Sequence, residues 1–235
     1  MTESMLRRHS SGPVNQVSGY VGECLLLNPT LVAEEYRRRV ASAPTRSSRY
    51  IVEHDTSGRK AGSGRREELL AHRMFEAGSK LRFSDWEPIS VVDFQTPLKA
   101  VQSDRLGKVD LLGVGRGLCV IELKVLNSSG TSDTPLNALL EAVGYCAVIE
   151  ANAAVIKDEL DTAGRPVGSG PVSALVLAPI EYWERWDHTR AIVDWRSALR
   201  TAASTLSAAT RLDIGLGLFD SLKISSTIDV EDVLA

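Results

Sequence analysis

The spacing of apolar and polar positions changes character near residue 65. Before it, apolar residues come in short bursts. Residues 1–18 are polar, and 20–21 with 24–27 form a short apolar segment ending at Asn28-Pro29, a turn signal. Residues 31–40 (LVAEEYRRRV) predict a helix that starts after Thr30 as its N-cap. Residues 41–48 read as loop, 49–54 as a short strand, and 56–64 (TSGRKAGSG) as a basic, Gly/Ser-rich connector. From residue 65 the pattern is regular. Residues 65–77 predict a helix closed by Gly78. Residues 89–96 predict a strand whose pairing Pro97 should cut. Residues 108–114 and 118–125 predict two strands around Gly115-Arg116-Gly117. A polar loop at 126–134 leads to a long apolar helix from 135 to about 154, with Pro135 in its first turn. Residues 172–178 predict an apolar strand, 189–210 an Ala-rich helix and 212–219 a final strand. No repeat is visible. The order α–β–β–β–α–β–α–β implies an α/β or α+β arrangement around one mixed sheet.

Composition narrows the class. The 235 residues are long enough for a sizeable core, and 43% hydrophobic with 24% charged residues is an ordinary globular balance. No apolar run approaches the roughly 18 residues of a membrane span, and the first residues have no apolar stretch after their arginines, so no secretory signal is expected. The three cysteines, Cys24, Cys119 and Cys146, form no CxxC pair and suggest a reducing, cytoplasmic setting. A formal net charge of −3 argues against coating nucleic acid by bulk charge, but not against a local basic surface.

The chemistry concentrates on the two strands around Arg116. In 118–125, alternation puts Cys119, Ile121, Leu123 and Val125 on one apolar face, and Val120, Glu122 and Lys124 on the other. In 108–114, Val109 and Leu111 share one face and Asp110 takes the other. A hairpin symmetric about Arg116 sets Asp110 opposite Glu122. Two carboxylates so placed repel unless something positive lies between them. Lys124 offers one charge, and a divalent cation held by hard oxygen donors offers more. Such an ion, Mg²⁺ or alternatively Mn²⁺, polarises a phosphoryl oxygen and acidifies a bound water.

Asp110 followed by Glu122-Leu123-Lys124 resembles the D…(D/E)-x-K signature of the PD-(D/E)xK nuclease superfamily, which has the restriction-endonuclease-like fold. The resemblance implies an αβββαβ core with a mixed central sheet flanked by helices, here residues 65–178, within a domain of residues 65–235 that follows an N-terminal extension of residues 1–64. It covers about half the chain and departs from the pattern at Val109, where the family often has proline. It implies Asp110 and Glu122 as metal ligands with the Leu123 carbonyl as a further one, and Lys124 acting on the water or on transition-state charge. The family's acidic residue on the preceding helix falls on Glu67 or Glu68. The helical wheel favours Glu67, at the edge of the face of Leu69, Leu70, Met74 and Ala77, and turns Glu68 to solvent. The family's polar-xxx-Tyr pair falls on Glu141 and Tyr145, one turn apart, which would orient Lys124 or contact substrate. Arg65 and Arg66, with Arg59 and Lys60, could track a phosphate backbone. The expected activity is therefore Mg²⁺-dependent hydrolysis of nucleic acid, DNA before RNA.

The alternative is a catalytically inactive module of the same fold, binding nucleic acid or protein. Carboxylates converging on one point favour cleavage, whereas Lys124 closed in ion pairs with no cleft favours the inactive module. Trp183, Trp186 and Trp195 read as core before they read as a base-stacking platform. His9, His54, His72 and His188 lack metal-ligand spacing. Endo- or exonuclease action and oligomeric state, a homodimer included, stay open.

Overall fold

The computed structural model describes residues 28–52, 66–100, 107–126, 134–187 and 194–234. Helix α1 is Pro29–Ala41 and α2 is Arg66–Glu76. Strands β1 (Lys80–Arg82), β2 (Ile89–Pro97), β3 (Lys108–Val114) and β4 (Leu118–Leu123) follow. Then come α3 (Pro135–Ala151), α4 (Ala153–Thr162), β5 (Ser173–Pro179), α5 (Ile180–Asp187) and α6 (Trp195–Thr210). Strands β6 (Asp213–Phe219), β7 (Thr227–Asp229) and β8 (Glu231–Asp232) finish the chain. The strands form one eight-stranded mixed sheet in the order β7-β1-β2-β3-β4-β5-β6-β8. Strands β1 to β4 pair antiparallel, whereas β4–β5 and β5–β6 pair parallel across helical crossovers.

Alternation along the strands builds two cores. On one face, Leu70, Ala71 and Met74 of α2 join Phe219, Ile228 and Val230 in one core with Leu111, Cys119, Ile121, Leu123, Leu175 and Leu177. On the other, α3, α5 and α6 cover Leu112, Leu118, Val120, Ala174, Val176 and Leu216, and α1 packs on α3 and α6. The expected apolar face of β4 is thus the one under α2. Val109 departs from expectation, joining the α3 side while Leu111 joins the α2 side. Gly215 and Gly217 leave room on β6 for other side chains: a Cβ at Gly215 would meet Trp86 at 2.9 Å, and one at Gly217 would meet Phe83 at 3.0 Å.

Helix α2 ends as expected at Gly78, whose φ of 59° only glycine adopts without cost. The Gly78 amide donates to Phe75 O and the Ser79 amide to Met74 O. Helix α1 starts at Pro29 rather than after Thr30, with Asn28 as N-cap and no side-chain cap bond. It buries Tyr36, whose hydroxyl donates to Glu150 Oε2 at 2.7 Å. Residues 49–52 are not a strand. They are pinned by Glu159, whose carboxylate accepts from the backbone amides of Tyr50 (2.9 Å) and Ile51 (2.8 Å).

Three other expectations fail for visible reasons. The helix from Pro135 stops at Ala151 and resumes at Ala153 with a 75° bend. Asn152, buried at the corner, donates to both Val148 O and Pro44 O. Pro97 does not cut the β2 pairing: it lies opposite Lys108, and the next amide, Leu98 N, still reaches Gly107 O. That bond makes 97/108 a non-hydrogen-bonded pair, so the proline nitrogen faces away from β3 and no ladder bond is lost. Strand β6 is not the last, because β8 pairs with it and β7 with β1. Tyr182, Trp183 and Trp186 are buried, and Trp183 stacks on Trp195 at 6.2 Å, so the tryptophans are core. No single helix among the described residues is long and apolar enough to cross a membrane.

Candidate functional site

The site lies at the C-terminal end of β4, where its pairing with β3 meets the first turn of α2 and the middle of α3. The pairs Leu112↔Val120 and Leu111↔Ile121, continued one step, set Asp110 across from Glu122 as the symmetric hairpin requires. The turn is held by Gly115 N donating to Gly117 O, and its Arg116 carbonyl accepts from Gly170 N. Gly117 and Gly170 are needed there, since a Cβ on either would run into neighbouring backbone below 3.0 Å. On the far side, Phe94↔Leu111 and Thr96↔Val109 bracket Gln95 opposite Asp110. Just past β4, Lys124 N donates to Leu177 O of β5. Glu122 and Lys124 are 4% and 5% exposed.

The buried ammonium bridges two elements. Lys124 Nζ is 2.7 Å from Glu122 Oε1 and 3.2 Å from Glu141 Oε2 of α3. Tyr145 Oη, one turn on, donates to Glu141 Oε1 at 2.7 Å. Helix α3 is aimed by its cap: Thr134 accepts from Asn137 N at 3.1 Å, and Pro135 follows. Gly107 lies over the tyrosine, since a Cβ there would be 2.8 Å from the hydroxyl.

Asp110 is fixed on both oxygens. Oδ2 accepts from Leu123 N at 3.0 Å and Oδ1 from Gln95 Nε2 at 3.2 Å. The Leu123 amide therefore serves Asp110, while its side chain is core. Glu67 reaches the same strand end from the α2 layer, where its Oε1 accepts from Val125 N at 3.4 Å. Arg66 Nη1 donates to Leu126 O at 3.1 Å. Arg65, Arg59 and Lys60 lie outside the described residues, as do His9, His54 and His188. Glu68 is half-buried rather than turned out to solvent.

Crowding of carboxylates governs their protonation. Burial pushes the Asp110 carboxyl up to about 6, against the pull of the Leu123 amide and Lys124. Burial and then the Asp110 charge raise Glu122 well above the usual carboxylate range. For Glu141, burial is outweighed by Lys124 and the tyrosine bond, and its pKa is lowered. Burial likewise opposes the Lys124 ammonium, but Glu122 and Glu141 outweigh it and hold its proton more tightly than in free lysine. Burial and Glu141 raise Tyr145, which stays a donor.

The Oε2 atom of Glu122 is buried and has no hydrogen-bond partner. A bare carboxylate oxygen beside a second carboxylate is the donor chemistry a hard cation takes. The residues that could hold one are Asp110 and Glu122, with Glu67 near the same strand end. Among the described residues, no three His, Cys, Asp or Glu side chains form a group that could by itself hold a metal ion.

The structure thus brings Asp110, Glu122, Lys124, Glu141 and Tyr145 together, with Glu67 and Arg66 at the margin. Gln95 is the member that sequence reasoning missed. Its signal was its place in the β2–β3 ladder, which the bulge between Val91 and Asp93 shifts by one residue. The fold defines a mixed α/β protein with helices on both faces of its sheet, and the site defines a buried carboxylate–lysine network. Comparison with protein-family models, with curated proteins and with solved structures finds no match to this chain.

Proposed function

We propose that the chain is a metal-dependent nuclease of the restriction-endonuclease-like fold, hydrolysing phosphodiester bonds, with DNA as the substrate its resemblance implies. The order α2–β1–β2–β3–β4–α3–α4–β5 supports the fold, with β1 and α4 as additions to the αβββαβ pattern. The observation that carries the function is the bare, buried Glu122 Oε2 beside Asp110 and Lys124. Asp110 and Glu122 would hold Mg²⁺ or Mn²⁺, with the Leu123 carbonyl as a further donor. That ion would supply Lewis acidity toward a phosphoryl oxygen and a more acidic bound water. The chain's own residues do the rest. Lys124 offsets negative charge building on the phosphate. Glu141, itself held by Tyr145, fixes the lysine ammonium. Glu67 and Arg66 line the approach from the α2 side.

The test is cleavage of supercoiled plasmid and of single-stranded DNA and RNA with Mg²⁺, Mn²⁺ or EDTA, using wild type, Lys124→Ala and Asp110→Asn. Metal-dependent cutting lost in both variants supports the reading. Equal cutting by wild type and Lys124→Ala assigns the activity to a contaminant and overturns it. One observation favours a second reading, a non-cleaving module: the Lys124 ammonium is enclosed by two carboxylates. Nucleic-acid binding by wild type without cutting under any metal condition selects that reading.

A further inference from the structure

Gln95 sits where a strand residue should be unremarkable, yet its φ is 52°. A residue other than glycine, asparagine, aspartate or histidine seldom adopts a left-handed backbone. Inside a strand that conformation persists only where the surroundings demand it. Glycine would relax it, so the glutamine side chain itself is what the position uses. That side chain reaches across the ladder to Asp110 Oδ1 at 3.2 Å. Leu123 N approaches the other oxygen from the β4 side at 3.0 Å. Two donors on two oxygens fix the carboxylate plane and still leave a lone pair on each. The amide is also uncharged. A lysine or arginine at this position would neutralise Asp110 and compete with a cation, whereas glutamine orients it and leaves its charge available.

We propose that Gln95 is a positioning residue, its amide holding the Asp110 carboxylate in the orientation that lets it share a divalent cation with Glu122. This rests on the metal-dependent reading above. Hydrogen bonds to a ligating carboxylate are worth about 10–100-fold in metal affinity.

The experiment uses the full chain as wild type, Gln95→Ala, Gln95→Gly and Asp110→Asn. Mn²⁺ binding is measured by calorimetry and by the loss of free-ion electron paramagnetic resonance signal, beside melting temperature and, for cleavage, kcat and KM. Alanine keeps the backbone strain and loses the amide, while glycine loses both. The expected result is Mn²⁺ affinity about 10-fold or more weaker in both Gln95 variants, with Gln95→Gly melting above Gln95→Ala. In cleavage, kcat falls while the KM for DNA holds. Wild-type Mn²⁺ affinity in Gln95→Gly, or affinity that simply follows melting temperature, overturns the role of Gln95 alone. Equal Mn²⁺ affinity in wild type and Asp110→Asn overturns the metal reading and this role together.

Discussion

Asp110→Asn separates electrostatic cost from hydrogen bonding at the centre of the site. Burial raises the folded-state carboxyl from the ordinary 3.8 to about 6. The folded protein therefore holds this proton over a range in which the unfolded chain has released it. Stability falls as pH rises from about 4 to about 6, and the whole deficit is present above that. The gap is worth about 3 kcal/mol at 1.36 kcal/mol per unit. That figure is an upper one, because solvent at the half-buried edge screens part of it. Asparagine removes the charge and keeps an acceptor for Leu123 N, and Gln95 can turn its own amide to meet the new donor. In EDTA at pH 8, Asp110→Asn should therefore be more stable than wild type by up to about 3 kcal/mol, or roughly 6–12 °C in melting temperature for a chain of this size. The advantage should vanish near pH 4. Thermal unfolding followed by circular dichroism at pH 4, 6 and 8 measures it. An Asp110→Asn protein that is less stable at pH 8, or shows the same difference at every pH, refutes the reasoning.

Lys124→Met should cost about 3–5 kcal/mol at pH 8, because it leaves Glu122 and Glu141 without their shared cation. Urea unfolding followed at falling pH should show the loss shrink, since burial and then the Asp110 charge favour the neutral form of Glu122. Tyr145→Phe should cost about 1.5–3 kcal/mol by the same assay, the worth of a hydrogen bond to a charged group. Glu159→Ala should release the segment at Tyr50 and Ile51, seen as faster amide hydrogen exchange there with α3 unchanged.

The site was legible in the sequence because its geometry is local. Three residues of turn fix the β3–β4 register, and strand alternation then sends Glu122 and Lys124 to one face. The one-turn spacing of Glu141 and Tyr145 is equally local. What was not legible depends on distant contacts or on broken periodicity. The corner at Asn152 is secured by Pro44, 108 positions away. Strands β7 and β8 span three and two residues, too short for any period to register. Gln95 was hidden because the bulge before it shifts which residue faces Asp110. Val109 was assigned to the wrong layer by simple alternation beside that same irregular stretch.

The cluster also accounts for the chain's overall charge. The sequence carries 27 Lys and Arg against 30 Asp and Glu. Set aside Lys124 with Asp110, Glu122, Glu67 and Glu141, and 26 of each sign remain. The formal excess of −3 is thus equal to that of one end of one strand, and the rest of the protein is balanced. One divalent ion there would take the formal charge to −1, enough to change migration in a native gel. A polyanion nearing that spot meets repulsion until a cation arrives.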